Sequence, residues 1–262
     1  MAILSLKVID KCGNTVCVNS GEDFADLVCM HTYQEGDRIT LETSEKNIYI
    51  VWQVDDAMGP AFVYITDNVS YQIPFGEKRV CYSPKVFSGS SHYLYARTAR
   101  QDEVEAYRNL ALNPADQHDD TGCFPHASAN VETRGESVFA ARNAIDGVLA
   151  NRSHGSWPYG SWGINRQEDA VMKVDFGRKV KTDRVVLYTR SDFPHDNWWV
   201  RVTLRFSDGT SREFALEKSS TGHELSFEEK EITWIELGNL IKSEDPSPFP
   251  ALTQIEVYGK NV

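Results

Sequence analysis

Ala141-Arg142-Asn143-Ala144-Ile145-Asp146-Gly147 stands within a long irregular stretch, about residues 115–168, that precedes the strands of the second half of a 262-residue chain. Its Asp-Gly pair reads as a turn in which the Asp146 carboxylate accepts hydrogen bonds from backbone amides. The stretch around it is rich in His, Trp, Arg and Asn rather than in Ser and Gly, and loops of such length and composition usually carry function. Alternating runs follow at Ala170–Phe176, Arg184–Tyr188, Val200–Phe206, Ser211–Leu216, Glu231–Glu236 and Gln254–Tyr258. They read as strands, and Ser207-Asp208-Gly209-Thr210 is the clearest hairpin turn.

Upstream the pattern is the same. Leu4–Ile9, Thr15–Val18, Arg38–Thr43, Asn47–Val54, Ala61–Ile65, Ser70–Ile73 and His92–Ala96 alternate in the manner of strands and are broken by Gly-, Asp-, Asn- and Pro-bearing turns. Turn punctuation every 8–12 residues is the mark of a sandwich or barrel. Gln101–Leu112 alone has helix-favouring composition. Asn113-Pro114 ends it, because a residue before proline is pushed out of the α region. The expected organisation is therefore all-β with two β-sandwich domains: an accessory sandwich over residues 1–100, a linker with a short helix over 101–114, and a second sandwich over 115–262.

Two loop constellations carry the chemistry. In Tyr188-Thr-Arg190-Ser-Asp192-Phe-Pro-His195-Asp196-Asn197-Trp198-Trp199, strand alternation sends one indole into the core and leaves the other at a loop rim. A sugar offers an apolar face for an aromatic ring and hydroxyls for planar polar partners, which Arg190, Asp192, His195 and Asn197 supply beside Trp198. Asn151-Arg-Ser-His154-Gly-Ser-Trp157-Pro-Tyr159-Gly-Ser-Trp162 is too rich in Gly and Pro for a helix. It offers His154, Trp157 and Tyr159, with Arg166 just beyond, as a second part of a ligand-facing rim, or an Ω-like loop packed on the sandwich end. His126 adds a further candidate contact.

The second half resembles the discoidin, or coagulation-factor type C, galactose-binding-like module, and is most similar to the family 32 carbohydrate-binding modules. The residues that carry the resemblance are Asn109-Leu-Ala-Leu-Asn-Pro, Ala144-Ile-Asp-Gly, Val174-Asp-Phe-Gly, Val185-Val-Leu-Tyr and Ile255-Glu-Val-Tyr-Gly, in order over about residues 109–260. The resemblance implies a jelly roll of about eight strands with ligand bound by loops at one end. It also implies a structural calcium ion near Asp146 and Glu256, with Asn151 as an additional ligand. The family often continues with Asp and Thr after the glycine, whereas Val148-Leu149-Ala150 stand here.

Composition excludes several classes. The chain carries 38 acidic and 27 basic groups, a formal charge of −11, and no basic face of the kind nucleic acid needs. Apolar runs of about five residues fall short of the roughly 20 that span a bilayer, so no membrane insertion is expected. Residues 1–10 lack a signal-like segment, which predicts a cytoplasmic location. Five cysteines without a Cys-x-x-Cys pair predict reduced, buried thiols. The function expected is non-catalytic, lectin-like binding of a mono- or oligosaccharide, galactose-type by analogy. A protein-interaction or oligomerisation module is the alternative, and a metal-dependent or glycan-active enzyme using His126, His154, His195, Asp192 and Asp196 the less favoured one.

Overall fold

The computed structural model describes residues 1–119 and 122–262 and is built almost wholly of antiparallel strands. Two sheets form in the first half. In space the first runs Thr15–Glu22, Ile3–Ile9, Arg38–Thr43, Val69–Gln72, and the second Cys123–Phe124, Ala61–Ile65, Ile48–Gln53, His92–Thr98, Phe24–Cys29. Alternation decides which face is buried: Leu4, Leu6 and Val8 point inward from the first sheet and meet Ile50, Trp52, Val63 and Leu94 from the second in one core. The strand Phe24–Cys29 escaped the sequence reading, although it too alternates.

The third sheet holds eight strands, with the order Trp162–Gly163, Ala251–Asn261, Met172–Thr189, His223–Lys242, Trp199–Phe206, Ser211–Ala215; His126–Ala129 and Arg108–Asn109 join it at the sides. Runs read from the sequence as separate strands, Ala170–Phe176 and Arg184–Tyr188, are one strand whose pairing breaks between Asp175 and Val180. Gly177 lies at that break with φ +64°, and a Cβ there would come within 2.3 Å of the Phe124 ring. Only glycine lets the strand turn so close to its neighbour. The Asp208-Gly209 hairpin forms as expected between Trp199–Phe206 and Ser211–Ala215.

Segments are exchanged across the expected linker. A helix forms at Gln101–Glu105, but Arg108–Asn109 pairs with Gly259 and Tyr258, and Leu110 and Ala111 belong to the second core. In the other direction, Cys123–Phe124 extends the second sheet beside Tyr64–Ile65, and Val138 and Phe139 pack into the first core. Cations seal the junction: the Arg108 guanidinium lies 3.7 Å from the Phe62 ring centre, and that of Arg178 lies over Tyr49 and Tyr64.

The cysteine expectation is overturned in part. Cys17 and Cys29 form a disulfide that joins the edge strand of the first sheet to the edge strand of the second. Thr15–Glu22 buries almost nothing, so it gains little from the hydrophobic core and much from a covalent tie. The two strands follow one another around Asp23 and also meet at Asn19, whose side-chain amide donates to the Asp26 carbonyl at 2.7 Å. Cys81 and Cys123 are buried thiols, and Cys12 is an exposed one. Among the described residues no helix is long and apolar enough to cross a membrane.

Candidate functional site

One end of the second sandwich carries a cleft of about 420 Å³. Thr133, Arg134 and Phe139, Gly163 to Arg166, Arg190, the two histidines His154 and His195, and Pro248 to Ala251 line it. Five separate chain segments therefore converge.

The floor is set by Arg190, which follows the long strand Met172–Thr189. Its amide donates to the Ala251 carbonyl at 2.9 Å, and its guanidinium donates to Asp196 Oδ1 from Nε at 2.8 Å and from Nη2 at 2.5 Å. Both partners are almost fully buried. Asp196 Oδ2 accepts the Asp192 amide at 2.8 Å and the Asp196 amide donates to the Asp192 carbonyl at 2.9 Å, so the loop is clasped at both ends by one residue pair. A buried charge pair of this kind is retained where geometry has to be held, since desolvation offsets most of its Coulomb energy.

Above the floor stands a stack. The His154 and His195 rings lie 4.1 Å apart and 4° from parallel, His195 and Phe249 5.1 Å apart and 14° from parallel, and the Arg166 guanidinium sits 4.7 Å from the Phe249 ring centre. His154 Nδ1 donates to Asp192 Oδ2 at 2.8 Å, which fixes the ring's tautomer and orientation. Asn165 and Arg166 both hold positive φ, 49° and 60°. Two successive non-glycine residues in the left-handed region cost about 1–3 kcal/mol each and persist where surrounding structure imposes them. Here the Asn165 amide is tied to Thr133 Oγ1 at 3.0 Å.

Four of the residues expected at the ligand rim line this cleft: His154, Arg166, Arg190 and His195. Asp192 lies beside it and orients His154. Others fall elsewhere, each for a physical reason. Asn197 is fully buried, and its amide nitrogen donates to the carbonyls of Ser243, Asp245 and Ser247 while its oxygen accepts the Trp198 amide and the Ser243 hydroxyl. Its polar capacity is spent on holding the 243–249 loop, so it is no hydroxyl reader. Trp199 enters the core and Trp198 stays at the surface, because a register shift at Arg201 reverses the phase set by Val202, Leu204 and Phe206, and Trp198 packs on Phe193 and under the Lys218 ammonium, outside the cleft. Trp157 is 40% exposed on a loop whose amide bonds the Val80 carbonyl of the first half, and Tyr159 is half-buried on the same loop. His126 is buried, with Nδ1 2.9 Å from Asp116 Oδ1, and Asp116 also accepts the Ala127 amide. It braces the core of the fold and is no ligand contact. Phe249 was missed; its signal was an aromatic held between prolines, Pro248-Phe249-Pro250, directly before the closing strand.

The calcium expectation does not fit the donors present. Asp146 Oδ1 accepts the Val148 amide and Gln254 Nε2, each at 2.8 Å. The same Gln254 nitrogen also donates to the Asn143 carbonyl, and Gln254 Oε1 accepts the Gly147 amide at 3.1 Å. A neutral amide donor thus occupies the place where a cation would gather these oxygens. Glu256 turns to the Tyr258 hydroxyl, and the Asn151 amide is committed to the Thr189 and Ser220 carbonyls at 3.0 Å each. Burial pushes the Asp146 carboxyl up to about 6, with Arg142 opposing the rise.

A family model described as a domain of unknown function (DUF7402) matches residues 124–245. No curated protein matches the sequence. Among solved structures the chain is similar to chitosan-binding module 1 of a Paenibacillus sp. IK-5 chitosanase/glucanase, with 18% identity over 58% of this chain and 98% of that one and a TM-score of 0.39. It is similar also to the family 32 carbohydrate-binding module of C. perfringens NanJ solved with galactose (18% identity, 50% and 91% covered, TM-score 0.39) and to a Streptococcus pneumoniae fucose-binding module (12%, 58% and 98%, TM-score 0.42).

Proposed function

We propose that the chain binds carbohydrate, without transforming it, in the cleft between the 133–139, 163–166, 190–196 and 248–251 segments. The observation that carries this reading is the column Arg166, Phe249, His195, His154 standing over the buried Arg190–Asp196 pair. It places aromatic edges, guanidinium donors and an oriented imidazole around a space of about 420 Å³, room for one or two sugar rings. Neutral hydroxyls suit such a site better than a charged ligand does, because Arg190 is already paired. The rim supplies both donors and acceptors through Asn165, Thr133 and His154. The parts are held in place before ligand arrives, which limits the ordering cost of binding. Phe249 and His195 present ring edges to the cleft, since each is covered on both faces within the column, and Trp198 and Trp157 lie outside it.

The test is a broad glycan array probed with the full chain and with Phe249→Ala. Selective binding lost in the folded variant, with the glycan recovered unchanged, supports the reading. A blank array from folded wild type removes it and favours a protein partner.

A further inference from the structure

We infer that the first half of the chain holds a divalent transition-metal ion at Asp55, Asp56 and His92, far in sequence from the carbohydrate cleft and independent of it. One carboxylate oxygen from each aspartate and one ring nitrogen of His92 all lie within 4.8 Å of one another. The two fixed members are prepared as ligands. His92 is 2% exposed and its Nε2 donates to the His31 carbonyl at 3.0 Å, which leaves Nδ1 as the lone-pair nitrogen, 3.9 Å from Asp55 Oδ2. A ligating histidine commonly donates its other nitrogen to a carbonyl in this way, fixing tautomer and orientation. Asp55 is buried at the end of the strand Ile48–Gln53, its oxygens oriented by the amides of Ala57 and Phe87 at 2.8 Å each. Asp56 is exposed and supplies both the third ligand and the approach from solvent.

A second, separate observation points to an occupant. The Tyr33 ring stacks on His92 at 4.0 Å, and its hydroxyl is buried without a hydrogen-bond partner although the residue is only 4% exposed. Asp37 Oδ1 is likewise buried and unpartnered, while its other oxygen accepts His31 and the Gln34 amide. Leaving such groups unsatisfied in a buried site is costly. An ion at the three ligands, with water completing its coordination, brings hydrogen-bonding groups beside the Tyr33 ring that stacks on His92.

One nitrogen and two carboxylates suit zinc or manganese better than calcium, which prefers oxygen alone. A tetrahedral ion with bonds of about 2.0–2.1 Å needs ligand atoms about 3.4 Å apart. Closing from the present separations takes a rotation of the exposed Asp56 side chain and an approach of about 0.5 Å between His92 Nδ1 and Asp55 Oδ2, now 3.9 Å apart.

The experiment is zinc titration of the metal-stripped full chain by calorimetry, with cobalt absorption as a spectroscopic check, on wild type, Asp56→Asn and His118→Gln. Asp56 is exposed, so its amide variant keeps the fold. His118 is an exposed histidine beside Glu132 that serves as the decoy site. One equivalent of zinc in wild type, unchanged in His118→Gln and weakened at least about tenfold in Asp56→Asn, is the result expected. Equal affinity in wild type and Asp56→Asn, loss in His118→Gln instead, or no binding by wild type overturns the inference.

Discussion

His195 stands between His154 and Phe249, its ring 4.1 Å from the one and 5.1 Å from the other and within 14° of parallel to both. It is the centre of the column, so its removal unseats rings on both sides. His195→Ala is expected to weaken sugar binding by about 1–3 kcal/mol, the range for a central aromatic contact. Trp198→Ala, outside the cleft, is expected to change it less than about twofold. Calorimetry with the array-selected glycan decides: a larger loss from Trp198→Ala moves the site to the Phe193 and Lys218 side of the loop.

The Arg190–Asp196 pair is a stability element as much as a binding one. Both side chains are buried, and Asp196 alone clasps the Asp192 amide. Asp196→Ala leaves a guanidinium buried and unpaired, which costs about 3–5 kcal/mol. For a chain of this size that lowers the melting temperature by roughly ten degrees. A thermal scan showing a shift of only a degree or two means the guanidinium has found water, and the pair is then no anchor for the loop.

Much of this was legible in the chain and some could not be. Alternation along Val202–Phe206 marked the buried face, but a register shift at Arg201 reverses its phase, so Trp199 and not Trp198 goes inward, which alternation alone does not give. The loops holding His154, Arg166, Arg190 and His195 were legible because aromatic and planar polar residues in long irregular segments seldom serve only as connections. Asn197 was misread because its partners lie 46 to 50 residues away, on a loop whose position depends on the folded sheet. His126 was misread for the same reason in miniature, since a buried aspartate ten residues earlier claims it. The disulfide was missed because the strand Phe24–Cys29 that carries its second cysteine was not read as a strand, although Cys17 and Cys29 lie symmetrically about the turn at Asp23.

Asp146 gives a pH test of the calcium-free loop. Its folded pKa is raised to about 6 from 3.8, so the folded state holds the proton more tightly. The stability this contributes is fully present below pH 3.8 and is lost as pH rises through 6. Asp146→Asn does not titrate. The stability of wild type relative to this variant is therefore expected to fall by about 1–3 kcal/mol between pH 4 and pH 7, the lower end reflecting the residue's solvent contact. Denaturant curves at both pH values measure it. Millimolar calcium is expected to leave that difference unchanged, and a calcium-dependent rise in wild type alone would restore a cation to Asp146.

The Cys17–Cys29 bridge closes a short loop, and the strand it holds, Thr15–Glu22, has little buried surface of its own. Constraining such a loop in the unfolded chain is worth about 3 kcal/mol. Cys17 is half-buried, so a reductant reaches the bridge without global unfolding. Dithiothreitol is expected to lower the melting temperature of wild type and to leave Cys17→Ser unaffected, because that variant has already lost the tie. The comparison bears on compartment as well. Structural disulfides form mainly in oxidising compartments, so an intact bridge in the purified chain favours such a setting. A chain that melts at the same temperature with and without reductant, its thiols confirmed free by titration with Ellman's reagent, would instead fit the reduced cytoplasm.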